Sequence, residues 1–169
     1  MKALRFLILS ALVLLATGCA TIRAQQAEQA RYQAKADAVT AAYHVPSIYI
    51  RPIAGYNGQY RCRENTINLG TDAVPFLIAH ELGHYVLGHG CAETLANEMA
   101  ANAFAIEAMQ VWGMSQPDAV RDTVAALVSA QRHHVSLPGH DWCAEAADVL
   151  RRYPTHGVAV YGPCATAAR

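Results

Sequence analysis

The stretch that decides the fold is IAHELGHYVLGH, residues 78–89, which predicts an amphipathic helix over residues 74–88. His80 and His84 lie one turn apart on the same face of such a helix, so the two imidazoles can hold a single metal ion. Glu81 projects about 100° round the helix from His80, which lets its carboxylate reach a metal-bound water rather than the metal. The pattern is the HExxH arrangement of zinc hydrolases, in which the histidines hold the ion and the glutamate takes the proton of the water.

The residues around this motif support a helix with two distinct faces. Ile78, Leu82 and Tyr85 form an apolar back, opposite the two histidines. Gly83 allows another backbone or side chain to approach closely. The alternative interpretation is a pair of surface histidines on an ordinary amphipathic helix.

A third metal ligand is expected from a second helix, over residues 92–112. Glu98 shares one face of that helix with small or apolar residues and with Asn102. An unpaired charge buried there would cost several kcal/mol or more, and a metal ion removes that cost. Asn102 lies one turn on, where it can hydrogen-bond a ligand and orient it. An exposed glutamate on an Ala-rich helix is the alternative, and Glu93 and Glu107 are weaker ligand candidates.

The two motifs together resemble a known group of enzymes. HELGHxxLGH followed by ExxANxFA resembles the ImmA/IrrE-type metallo-endopeptidases and, more distantly, the HtpX-like peptidases, over roughly residues 65–110. The resemblance implies Glu81 as general base, Asn102 as a residue that orients a ligand, and zinc bound by His80, His84 and Glu98. Those peptidases often have Asp at the place of Asn102.

The N-terminus predicts export and lipidation. A positive start is followed by an uncharged, mostly apolar run over residues 6–16, too short for a usual membrane span. LATGC, residues 15–19, resembles the bacterial lipobox, so residues 1–18 are expected to be a lipoprotein signal peptide and Cys19 the acylated residue. Because Ala20 is not Asp, the resemblance implies an outer-membrane anchor facing the periplasm. An ordinary cleaved signal or an uncleaved anchor are the alternatives.

The remaining cysteines are even in number, as expected in an oxidising compartment. The favoured pairs are Cys62–Cys91, which would tie a strand to the end of the HExxH helix, and Cys143–Cys164, which would clip the tail to the last helix. Each would add about 3 kcal/mol. Two other pairings are possible, and four reduced thiols are the alternative.

Composition indicates one globular domain. Residues 19–44 are rich in Ala and Gln and read as a helical tether, and residues 45–169 are long enough for one domain with a core. The net charge is zero with His neutral, and no basic cluster is present. A nucleic-acid partner is therefore not expected.

The pattern of elements predicts an α+β fold: a small antiparallel sheet packed on helices, a minimal zincin-like metallopeptidase domain. Strands are expected over residues 47–53, 60–63 and 66–69, and helices over residues 74–88, 92–112, 115–132 and 141–152. Residues 65–69 are the candidate edge strand beside the cleft, where an extended substrate could pair.

A group that stabilises the oxyanion is also expected in a peptidase. His140 and His156, both in predicted loops, rank first among the downstream candidates, although a single loop histidine is more often a surface residue than a catalytic one.

The sequence therefore predicts a zinc-dependent, lipid-anchored peptidase of the cell envelope, acting on peptide or protein substrates. Zinc is inferred from the imidazole and carboxylate ligands. A non-catalytic, zinc-binding envelope lipoprotein is the main alternative, and hydrolysis of a non-protein amide is another.

Overall fold

The chain folds into five helices and one three-stranded sheet within the residues that the computed structural model describes, which are 23–53, 55, 58–71, 73–154 and 164. The helices are α1 (residues 23–42), α2 (Pro75–Val86), α3 (Leu95–Val111), α4 (Gln116–Arg132) and α5 (Trp142–Arg152). The strands are β1 (Tyr49–Ile53), β2 (Gly58–Arg61) and β3 (Thr66–Gly70). The expected α+β class is confirmed.

Three expectations from the sequence fall outside the described residues: the signal peptide over residues 1–18, the lipidation site Cys19, and His156. Over the ranges given above, no helix is both long and apolar enough to cross a membrane.

The sheet is mixed, and the expected antiparallel sheet is therefore wrong. Its order is β1-β3-β2, with β1 parallel and β2 antiparallel to β3. After β1 the chain forms the outer strand β2. It then turns back through a hairpin to form β3 between β1 and β2, so β3 is the central strand. Ile67 and Leu69 of β3 are fully buried, which explains why this strand takes the middle. The expected edge strand, residues 65–69, is thus wrong as well, and the edge near the cleft is β2.

Helix α1 is part of the folded domain. Its apolar face enters the hydrophobic core through Tyr32, Ala36 and Val39. The side-chain amide of Gln33 donates to the carbonyl of Ile48 at 2.8 Å and accepts from the N–H of Ile50 at 3.0 Å. These bonds satisfy main-chain groups on the outer edge of the sheet. Within the segment expected as a tether, residues 23–42 form this helix, which packs on the core of the domain.

Helices α2 and α3 pack closely because of a glycine. A Cβ atom on Gly83 would lie 3.0 Å from the Cα of Ala101, so any larger residue would push the helices apart. Helix α2 starts with Pro75 in its first turn, and α3 is capped by Thr94, whose hydroxyl accepts from the N–H of Asn97. The close approach faces the histidines of α2 towards the start of α3.

Two disulfides join the cysteines in the combinations favoured by the sequence. Cys62–Cys91 ties the residue after β2 to the loop between α2 and α3, with a Cα–Cα distance of 5.4 Å. Cys143–Cys164 ties α5 to the buried Cys164, with a Cα–Cα distance of 5.0 Å. Both separations are ordinary for disulfides.

Candidate metal centre

Four side chains from three parts of the chain converge on one point. The Oε2 atom of Glu98, on α3, lies 3.2 Å from Nε2 of His80 and 3.2 Å from Nε2 of His84, both on α2. It also lies 3.3 Å from Nε2 of His140, in the loop between α4 and α5. The two α2 histidines bring their Nε2 atoms within 3.1 Å of each other. The structure thus brings together the three ligands expected from the sequence and adds His140.

These distances fit a metal ion. Ligands about 2.0–2.1 Å from zinc at tetrahedral corners lie about 3.3 Å apart, close to the separations observed. His80, Glu98 and His140 each offer one ligand atom, and these atoms lie within 4.8 Å of one another. The Glu98 side chain is only 4% exposed, so its charge needs a partner. The residues present can therefore hold a cation, and imidazole with carboxylate is a donor set that suits zinc.

Each of the three imidazoles has a partner on its other ring nitrogen, Nδ1. The contacts are His80 to Oδ1 of Asn102 at 2.8 Å, His84 to Nδ1 of His89 at 3.1 Å, and His140 to Oε1 of Glu145 at 3.0 Å. Metal-binding histidines almost always have such a partner, which fixes the ring so that the free nitrogen faces the ion. The contact with His80 places Asn102 where it can orient a ligand, the role that was expected of it.

Glu145 is the residue that the sequence reasoning missed. It is fully buried on α5 and accepts a hydrogen bond of 2.6 Å from Nδ2 of Asn102, besides its contact with His140. The helical spacing of the sequence could have identified Glu145. Trp142 and Val149, one turn either side of it, mark the buried face of α5, so a carboxylate there needs partners just as Glu98 does.

The charges in the cluster favour an ionised carboxylate. Burial alone would raise the pKa of Glu98, but hydrogen bonds from His80 and His84 hold it well below its ordinary value of 4.5. Burial lowers the pKa of His80, but the hydrogen bond to Glu98 and the charge of Glu81 outweigh it and raise that pKa above 6.5. The cluster thus stabilises positive charge next to Glu98.

Glu81 lies beside the donor cluster. Its Oε2 atom accepts a hydrogen bond of 2.6 Å from the main-chain N–H of Tyr60, on β2. It is 7% exposed and lines the same cleft of about 680 Å³ as the converging groups. This placement agrees with the direction expected from the helix geometry, beside the metal ligands rather than among them.

The cleft has two different walls. One wall is the free edge of β2, and the other is the exposed side chain of Leu137 with Pro138, from the loop that carries His140. The disulfide Cys62–Cys91 forms part of the rim.

The weaker ligand candidates lie apart from the donors. Glu93 is exposed and lines the cleft rim, but it is not among the converging groups. Glu107 accepts a hydrogen bond of 2.8 Å from the hydroxyl of Tyr43. The geometry thus favours Glu98 over both.

Comparisons of the chain with protein-family models, with curated proteins and with solved structures found no match. The family resemblance therefore rests on the two sequence motifs.

Proposed function

We propose that the protein is a zinc-dependent peptidase of the cell envelope, of the ImmA/IrrE type suggested by its motifs. The observation that carries the proposal is the position of Glu81. Its carboxylate lies in an open cleft, beside a cluster of three imidazoles and a carboxylate rather than within it. A base next to metal ligands is the arrangement that hydrolysis needs, whereas a purely structural metal site has no use for it.

The residues divide the work of hydrolysis. His80, His84 and Glu98 would hold the zinc ion, which supplies a Lewis acid for the peptide carbonyl and lowers the pKa of water. Glu81 would take the proton of the attacking water and return it to the leaving amine. The N–H of Tyr60 holds one oxygen of Glu81 in place, and Glu81 lines the cleft.

The free edge of β2 favours a peptide substrate over a small amide. A strand edge offers unpaired N–H and C=O groups, to which an extended polypeptide can add as a further strand. All four residues of β2, Gly58–Arg61, line the cleft, although the N–H of Tyr60 is already bonded to Glu81. A small amide would not need this length of edge.

A second candidate function is a non-catalytic, zinc-binding envelope lipoprotein. The observation that favours it is His140, whose Nε2 lies 3.3 Å from Oε2 of Glu98. Structural zinc sites are closed by four protein ligands, whereas catalytic sites keep a position open. Whether the zinc-loaded protein hydrolyses peptide bonds decides between the two candidate functions.

The cellular location is proposed from the N-terminal sequence. The signal over residues 1–18 and Cys19 would place the protein on the periplasmic face of the outer membrane, and two disulfides fit an oxidising compartment. Cys19→Ser should release the protein from the membrane fraction or block its processing. Unprocessed wild-type protein in the cytosol would contradict this location.

The test of the activity is hydrolysis of an unfolded protein such as casein by the purified protein. We expect cleavage that stops when a chelator removes the metal and returns when zinc is restored, with new peptide termini found by mass spectrometry. Protein that holds a full complement of zinc but cuts no peptide bond would favour the second candidate.

A further inference from the structure

We infer that His140 is a fourth protein ligand of the metal and that Glu145 positions it. This inference rests on the metal site of the proposed function, but not on hydrolysis. With four protein ligands, hydrolysis would require the ion to accept water as a fifth ligand. It assigns His140 a role different from oxyanion stabilisation, because a ligand presents a lone pair to the site and an oxyanion stabiliser presents a proton.

The partners of Glu145 assign the tautomer of His140. The carboxylate of Glu145 accepts from the main-chain N–H of Asp141 at 3.0 Å and from Nδ2 of Asn102 at 2.6 Å. Oε1 of Glu145 also faces Nδ1 of His140 at 3.0 Å. A carboxylate is an acceptor, so Nδ1 of His140 must be the donor. In a neutral imidazole the other nitrogen, Nε2, then carries a lone pair and no proton.

The same reasoning extends to His80. Because Nδ2 of Asn102 faces Glu145, Oδ1 is the amide atom that faces His80, and it can only accept. Nδ1 of His80 therefore donates, and its Nε2 also carries a lone pair. Two lone pairs and the Oε2 atom of Glu98 thus meet at 3.2 and 3.3 Å. When both rings are neutral, no hydrogen bond can join these three acceptors to one another, and acceptors converge in this way around a cation.

His140 is held rigidly in its position. The ring of Trp142 stacks on it at 4.0 Å between centroids, and Nε1 of Trp142 donates to the carbonyl of Val135 at 2.6 Å. Gly139 has φ of 80°, and a Cβ atom there would lie 2.8 Å from the main-chain carbon of Glu93. The loop is therefore locked against the segment before α3. A preorganised imidazole beside Glu98 is what a metal ligand requires.

The test is metal affinity and coordination in variants of the full protein. His140→Phe keeps a ring against Trp142 but removes the ligand atom, and Glu145→Gln removes the charge and turns one of the two acceptor oxygens into a donor. We expect zinc binding, measured by competition with a chelator, to weaken more than about 100-fold in the first and about 10–100-fold in the second. The visible absorption of the cobalt-loaded protein should change in the first. His133→Ala, at an exposed histidine of the same loop, is the matched control and should change neither reading.

The outcomes separate this inference from the proposed function. If His140→Phe binds zinc like the wild type, with an unchanged cobalt spectrum, His140 is not a ligand and the inference is overturned. A loss of turnover in that variant would then assign His140 to the substrate and leave the peptidase proposal intact. If His140→Phe loses metal affinity and the zinc-loaded wild type cuts no peptide, His140 is supported as a ligand and the peptidase proposal is refuted. If His140→Phe does not fold, wild-type zinc affinity in Glu145→Gln overturns the inference.

Discussion

The main-chain N–H of Tyr60 donates a hydrogen bond of 2.6 Å to Oε2 of Glu81. This contact joins the free edge of the sheet to the helix that carries both α2 histidines. It uses an N–H group that points away from β3, on the side where a further strand would add. The proposed base and the proposed substrate-binding edge are therefore fixed relative to each other by one bond.

Glu98→Ala should weaken zinc binding, so that less than one ion per chain remains after dialysis. Glu98 supplies the only converging carboxylate oxygen among the four donors, and its loss leaves imidazoles alone around the ion. The measurement is zinc content per chain after dialysis, with Glu93→Ala as the matched control, because Glu93 is exposed on the same cleft. Retention of zinc by Glu98→Ala together with its loss from Glu93→Ala would reverse the assignment.

Asn102→Asp should destabilise the protein at neutral pH by about 1–3 kcal/mol. Nδ2 of Asn102 donates to Glu145 at 2.6 Å, so an aspartate would place two carboxylates in contact inside the core. Denaturant unfolding measures the effect, and Asn97→Asp, near the start of the same helix, should cost much less. Equal stability of Asn102→Asp and the wild type would contradict the pairing.

The site residues on α2 and α3 could be predicted because their signals are local. His80 and His84 follow from the helical period, and Glu98 follows from a charge on an apolar face. His140 could be ranked only as a loop histidine, because its approach to Glu98 depends on how α4 and α5 pack. Glu145, which contacts Nδ1 of His140, could have been found in the same way as Glu98, as a charged residue on an apolar helix face.

The sheet could not be predicted to the same depth. Short alternating segments indicate strands, but the pairing of β1 with β3 depends on long-range contacts that a local pattern does not encode. The role of α1 was readable in part. Tyr32, Ala36 and Val39 follow helical spacing on one face, yet the Ala- and Gln-rich composition suggested a spacer.

Zinc should stabilise the protein more as the pH rises from about 6 to about 8. In the metal-free protein the pKa of His80 is raised, so its contribution to stability is full below 6.5 and is lost as the pH rises through the raised value. The lowered pKa of Glu98 gives a contribution that is present above 4.5 and lost as the pH falls through the lowered value. Protons compete with zinc for His80, so the zinc-induced increase in Tm should grow with pH. A shift that shrinks with pH would contradict this coupling.

Removal of the Cys62–Cys91 disulfide should loosen the cleft. The bond closes a separation of 29 residues and is worth about 3 kcal/mol by the chain-entropy argument. In the Cys62→Ser/Cys91→Ser variant, we expect faster amide hydrogen exchange in β2 and in residues 87–93. The matched Cys143→Ser/Cys164→Ser variant should instead speed exchange in α5. Identical exchange in β2 for wild type and the first variant would show that this bond does not hold the strand.

The measurement that tests the central claim most directly is turnover and zinc content of Glu81→Gln, determined on the same sample. The substitution keeps the shape of the side chain and removes the base, so zinc should remain at one ion per chain while peptide hydrolysis falls by several orders of magnitude. Nearly unchanged hydrolysis would refute Glu81 as the base. Inactivity that comes with loss of zinc would show that Glu81 is a metal ligand instead.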